Sequence, residues 1–218
     1  SLQRLAREIC IWAKLYHENV LPLFGFFTEG DNAMPAFVSE WMERGTLNDY
    51  MKTFPRASFT TLLMAPRQIR DIAKGLEYLH SEGVIHADLK SPNILISQDS
   101  KPLLADFGLS LALSESTAGS TTTGAFTKGT VRWMARELLV PEDSGPSFRP
   151  DEQTDIWALG MVIYELLSWK SPYWDKSSDI LVFMGIVNGE LPGIPEDTSD
   201  MDSNIFKMLW NLCESCWT

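Results

Sequence analysis

From Asp155 to Leu167 the chain reads Asp-Ile-Trp-Ala-Leu-Gly-Met-Val-Ile-Tyr-Glu-Leu-Leu, a run that is apolar around nearly the whole circumference of a helix. A helix on a protein surface keeps one wet face, and this one has none, which argues for a helix buried inside a domain. It is too short to span a bilayer. A chain of 218 residues, 44% of them hydrophobic, is long and apolar enough to enclose it. Gln153, Thr154 or Asp155 supplies a cap at its start.

Other segments surround this post in a mixed pattern. Ile69, Ile72, Ala73, Leu76 and Leu79 recur at helical intervals between Pro66 and His80, and Gly83 then releases the chain. Leu2, Leu5, Ile9, Trp12 and Tyr16 fall on one helical stripe with Glu8 at its edge. Ala36-Phe-Val-Ser-Glu-Trp-Met42 reads as an apolar strand running into a polar turn. Asn93-Ile-Leu-Ile and Leu103-Leu-Ala-Asp read as two short strands, and a hairpin between them brings Asn93 and Asp106 to one mouth. Asp179 to Asn188 is a further helix, and Leu209 to Trp217 is amphipathic.

Chemistry concentrates in His86-Ala-Asp-Leu-Lys-Ser-Pro-Asn-Ile and in Asp106-Phe-Gly. Each is a weak signal alone, but together they space an acid, a lysine, an amide and a second acid as the handling of Mg-ATP and a hydroxyl nucleophile requires. Asp88 can accept a hydroxyl proton, and Lys90 can reach a transferring phosphate. Asn93 and Asp106 offer oxygen to Mg²⁺, a hard cation.

This ordered set resembles the protein-kinase catalytic core, and later motifs follow in that family's order. Gly129-Thr-Val-Arg-Trp-Met-Ala-Arg-Glu137 is similar to the end of a kinase activation segment, with Arg136 where Ala-Pro-Glu is usual. The resemblance implies an α+β, two-lobe fold. Residues 1–40 would be part of the small lobe, from the C helix onward, and residues 41–218 a mostly helical large lobe lacking its end. It makes Asp155 a tie for the backbone of the 86–93 loop and Thr130 a neighbour of Asp88 and Lys90. Glu8 becomes the C-helix acid and Glu137 a structural acid. Ser39 becomes the gatekeeper, with the main chain of Glu40 and Met42 facing adenine and Leu95 closing that site from below. Leu23, Trp12, His86 and Phe107 would stack as a hydrophobic column. No Gly-rich loop or strand lysine occurs in the chain, so it is expected to be an internal piece of a longer kinase domain, poorly active alone.

The activity so implied is transfer of the γ-phosphoryl group of Mg-ATP to a protein hydroxyl. Lys90 favours serine/threonine acceptors, and the wording of the motifs looks most like the tyrosine-kinase-like group. The alternative is a pseudokinase acting as a scaffold or allosteric partner. Ala87 stands where many kinases carry an arginine that captures a phosphorylated activation segment, so switching through that contact is expected to be absent. The stretch from Ser110 to Thr127 is rich in hydroxyl residues and is expected to be mobile.

A net charge of −11 speaks against nucleic acid and anionic membrane partners. No segment reaches membrane-spanning length. Three cysteines cannot form a disulfide framework, which favours a reducing, cytoplasmic setting. Cys213 and Cys216 are spaced as Cys-x-x-Cys, but two thiols do not fill a zinc site, and packing is their expected role.

Overall fold

The computed structural model describes residues 9–28, 36–55, 64–107, 129–140, 149–195 and 202–218. In chain order its elements are β1 (Leu23–Phe27), β2 (Ala36–Ser39), α1 (Leu47–Lys52), α2 (Met64–Ser81), β3 (Ile94–Ile96), β4 (Pro102–Leu104), α3 (Glu152–Ser168), α4 (Asp179–Val187) and α5 (Ser203–Cys216). Short 3-10 turns occupy Ser91–Asn93, Val131–Trp133 and Arg136–Leu138. The mixture is α+β, with small antiparallel sheets and a helical body.

Helix α3 is the expected central post. From Ala158 to Ser168 every residue is buried, and Val162, Ile163, Leu166 and Leu167 are fully enclosed. Each such side chain contributes about 1.5–3 kcal/mol relative to an exposed one. The cap is Asp151, upstream of the expected 153–155. Its carboxylate accepts the Thr154 N–H, and the Thr154 hydroxyl oxygen accepts the Asp151 N–H, each at 3.0 Å. This reciprocal box releases the Asp155 side chain for other work. Across α3 lies α5, in van der Waals contact at Gly160, where an added Cβ would come within 2.6 Å of Trp217 Nε1 and 2.7 Å of Cys216 Cβ. Cys213 and Cys216 are buried there, and burial pushes both thiols above their ordinary range.

Strands β3 and β4 form the expected hairpin, pairing Ile94 with Leu104 and Ile96 with Pro102. β4 also reaches the amino-terminal part: Leu104 N–H donates to Asn19 O, and Leu21 N–H donates to Leu104 O, both at 2.9 Å. β1 pairs antiparallel with β2, with an irregularity between Leu23 and Gly25.

Two further readings change in detail. Tyr16, placed on the apolar stripe with Ile9 and Trp12, is 91% exposed. The helix tightens after Trp12 into i→i+3 bonds, Lys14 N–H to Ile11 O and Leu15 N–H to Trp12 O, so Leu15 takes the buried place. The strand expected over 36–42 ends at Ser39; Met42 turns inward, and its carbonyl accepts the Gly45 N–H. Leu2, Leu5 and Glu8 lie outside the described residues, as does the hydroxyl-rich stretch from Ser110 to Thr127.

Candidate active site

The loop joining α2 to β3 carries the first cluster. Asp155 holds its backbone: the carboxylate accepts the N–H of His86 at 2.8 Å and of Ala87 at 2.9 Å, and His80 Nε2 lies 2.9 Å away. Ala87 adopts φ 64°, a left-handed conformation uncommon for a residue with a Cβ. Immediately after it, Lys90 Nζ donates to both Asp88 carboxylate oxygens, at 3.0 and 2.8 Å, and to Thr130 Oγ1 at 2.8 Å. Asn93 Nδ2 donates to the Asp88 carbonyl at 2.9 Å and to Asp88 Oδ2 at 2.8 Å. Both amide hydrogens of Asn93 are thereby engaged, which leaves its amide oxygen as acceptor.

The hairpin brings the second acid to the same end. Ala105 N–H donates to Asn93 O at 2.9 Å, and Asp106 follows with φ 57° and an exposed side chain. Phe107 turns inward, its ring 5.6 Å from that of Trp12 and 6.1 Å from that of His86. Leu23 packs against the same core as Trp12 and Phe107, and the His86 ring meets that core at Phe107. Burial holds the His86 imidazole below its ordinary pKa, against the opposing pull of Asp155, Asp88 and Asp106.

Of the residues expected around adenine, Ser39 is half-buried at the end of β2 and paired with Leu23, Glu40 is exposed, and Met42 is buried. Leu95 is half-buried and bridges to Thr46. Glu137 lies half-buried in the turn Arg136–Leu138.

Sequence reasoning missed a second tier beneath this cluster. Glu165 of α3 is buried; the Ser91 hydroxyl donates to Oε1 at 2.7 Å and Trp133 Nε1 donates to Oε2 at 2.8 Å. Burial drives its carboxyl up to about 7, outweighing those two donors. The signal was a single acid inside an otherwise apolar run. Beside the cluster a shallow cleft is lined by Ala87, Asp88, Thr130, Met134 and Leu138. Among the described residues no group of three or more His, Cys, Asp or Glu could hold a metal by itself.

The family model for the protein kinase domain matches residues 1–218. The chain is 30% identical over 218 residues to serine/threonine-protein kinase STY17 of Arabidopsis thaliana, covering 99% of the chain and 34% of that protein. It is 29% identical to serine/threonine-protein kinase BCK1/SLK1/SSP31 of Saccharomyces cerevisiae, covering 98% of the chain and 14% of the relative. With tyrosine-protein kinase SPK-1 of Girardia tigrina it shares 34% identity over 174 residues, 79% of the chain and 33% of that protein. The chain thus spans about a third or less of the length of each of these relatives. By that family-model match the chain belongs to the protein kinase domain family.

Proposed function

We propose that the chain is the core of an ATP-dependent serine/threonine protein kinase, with residues 1–40 contributing to its small lobe and 41–218 forming its large lobe. The observation that carries this reading is the convergence of Asp88, Lys90 and Asn93 with Thr130, all joined by hydrogen bonds of 2.8–3.0 Å.

In this mechanism Asp88 takes the proton of the incoming hydroxyl as it attacks. Lys90 stands between that carboxylate and the Thr130 hydroxyl, so its ammonium can neutralise charge on the transferring phosphoryl without leaving the acceptor side. Asn93 orients Asp88 through two donors. Asn93 and Asp106 would hold Mg²⁺, which when bound neutralises phosphate charge; the remaining amide oxygen and the outward carboxylate suit a hard cation. Ser39, Glu40, Met42 and Leu95 would form the adenine side, and Glu8 would orient a phosphate-binding lysine. The acceptor is a protein serine or threonine, reached through the cleft beside Ala87 and Thr130.

We propose a reducing, cytoplasmic setting on the ground that all three cysteines are free. Among the described residues no helix is long and apolar enough to cross a membrane. The test is phosphoryl transfer from Mg-ATP to a protein acceptor by the full-length protein, with Asp106→Asn beside it. Transfer abolished by that change supports the reading. Transfer indifferent to it, or none in the parent protein, rejects it.

A further inference from the structure

The acceptor side of the cluster is held by a contact that the chemistry above does not use. Asp179, in the first turn of α4, accepts the Gly129 N–H on Oδ2 at 3.0 Å, and its Oδ1 lies 3.9 Å from Arg132 Nε. The Arg132 guanidinium also donates to the carbonyls of Pro172 and Tyr173, each at 2.8 Å, and to that of Lys176 at 3.1 Å. A planar fork satisfied on several sides has little freedom to move. Thr130 lies between the two pinned residues, and its hydroxyl accepts from Lys90. At the other end of α4, Arg136 Nε donates to Val187 O at 3.1 Å, a cation at the negative end of a helix. Proline, usual there in the family the chain resembles, has no side-chain donor for such a bond.

We infer that Asp179 and Arg132 form a latch that positions Thr130 against Lys90, so that α4 and the 129–136 segment move as one acceptor-binding unit. Asp179 is a positioning residue, acting on Lys90 only through Thr130. A carboxylate at the start of α4 suits both tasks, facing the positive end of the helix and a guanidinium together. Arg136 straps the same helix from its far end, which leaves α4 no independent position. The latch rests on geometry alone; its effect on acceptor use rests on the phosphoryl-transfer reading.

The experiment compares the full-length protein with Asp179→Ala, which removes both contacts, and Asp179→Asn, which keeps an acceptor for the Gly129 N–H but loses the charge facing Arg132. Hydrogen exchange over Gly129–Trp133 should quicken about tenfold or more in Asp179→Ala and less in Asp179→Asn, while α5 is unchanged. With Mg-ATP and myelin basic protein, KM for the protein acceptor should rise about fivefold while KM for ATP stays within about twofold. Unchanged exchange in both variants overturns the latch, and so does quickening that extends to α5. Faster exchange with an unmoved acceptor KM overturns the positioning role. A parent protein that transfers no phosphate overturns the kinase reading and the acceptor role with it, while exchange still decides the latch.

Discussion

Asp155 accepts the Ala87 N–H at 2.9 Å while Ala87 stands at φ 64°, so a carboxylate rooted in the buried helix α3 holds a left-handed residue directly before Asp88. The same carboxylate binds the His86 N–H. Loop shape is thus set by the core as well as by the loop's own bonds from Lys90 and Asn93 to Asp88. Asp155→Ala leaves two backbone donors without their acceptor in a largely buried place, at a cost of about 3 kcal/mol or more. Urea denaturation should show the midpoint falling accordingly, and an unchanged midpoint would mean that the loop holds itself.

Ala87 itself offers a finer probe. Glycine reaches positive φ without the steric penalty of a Cβ, so Ala87→Gly should be neutral or stabilising by up to about 1 kcal/mol, unlike substitutions elsewhere that loosen a loop. Alanine also has no charge for a phosphate, so phosphatase treatment should leave activity unaffected through this position. Loss of stability above about 1 kcal/mol in a melting experiment on Ala87→Gly would contradict the backbone account.

Glu165 and His86 give stability opposite pH dependences. A carboxyl held up at about 7, against 4.5 ordinarily, keeps its proton longer when folded. Its contribution is complete below pH 4.5 and is lost as pH rises through 7, about 3 kcal/mol in all. His86, depressed by burial, destabilises the fold increasingly as pH falls below 6.5. Glu165→Gln removes the first dependence only. Subtracting its stability curve from that of the parent should leave a slope confined to pH 4.5–7, and a flat difference would exclude a protonated Glu165.

The contact at Gly160 should be intolerant of growth. Gly160→Ala puts a Cβ against Trp217 and Cys216 and must separate α3 from α5, costing about 1–3 kcal/mol despite alanine's better helix propensity. A denaturation midpoint higher than that of the parent would show that the two helices can part freely.

Local pattern made some of this legible in the sequence. The intervals of Ile69, Ile72, Leu76 and Leu79 marked α2, and the all-apolar run marked α3, because burial imposes those spacings. Asp88, Lys90 and Asn93 lie within one short loop, so their meeting needed no long-range knowledge. The hairpin that sets Ala105 beside Asn93 was visible as two short strands. Tyr16 misled because an apolar period says nothing of where a helix tightens and stops. The Gly129–Asp179 bond spans 50 residues, and the reach of Glu165 to Ser91 spans 74, so neither left a local mark.

The most direct test of the account is a single-turnover measurement of γ-phosphoryl transfer from Mg-ATP by the full-length protein and its Asp88→Asn variant, with nucleotide binding followed alongside. The account predicts transfer by the parent, a loss of about 10²–10⁴-fold in the variant, and nucleotide affinity little changed. Transfer by Asp88→Asn at the parent's rate would contradict it.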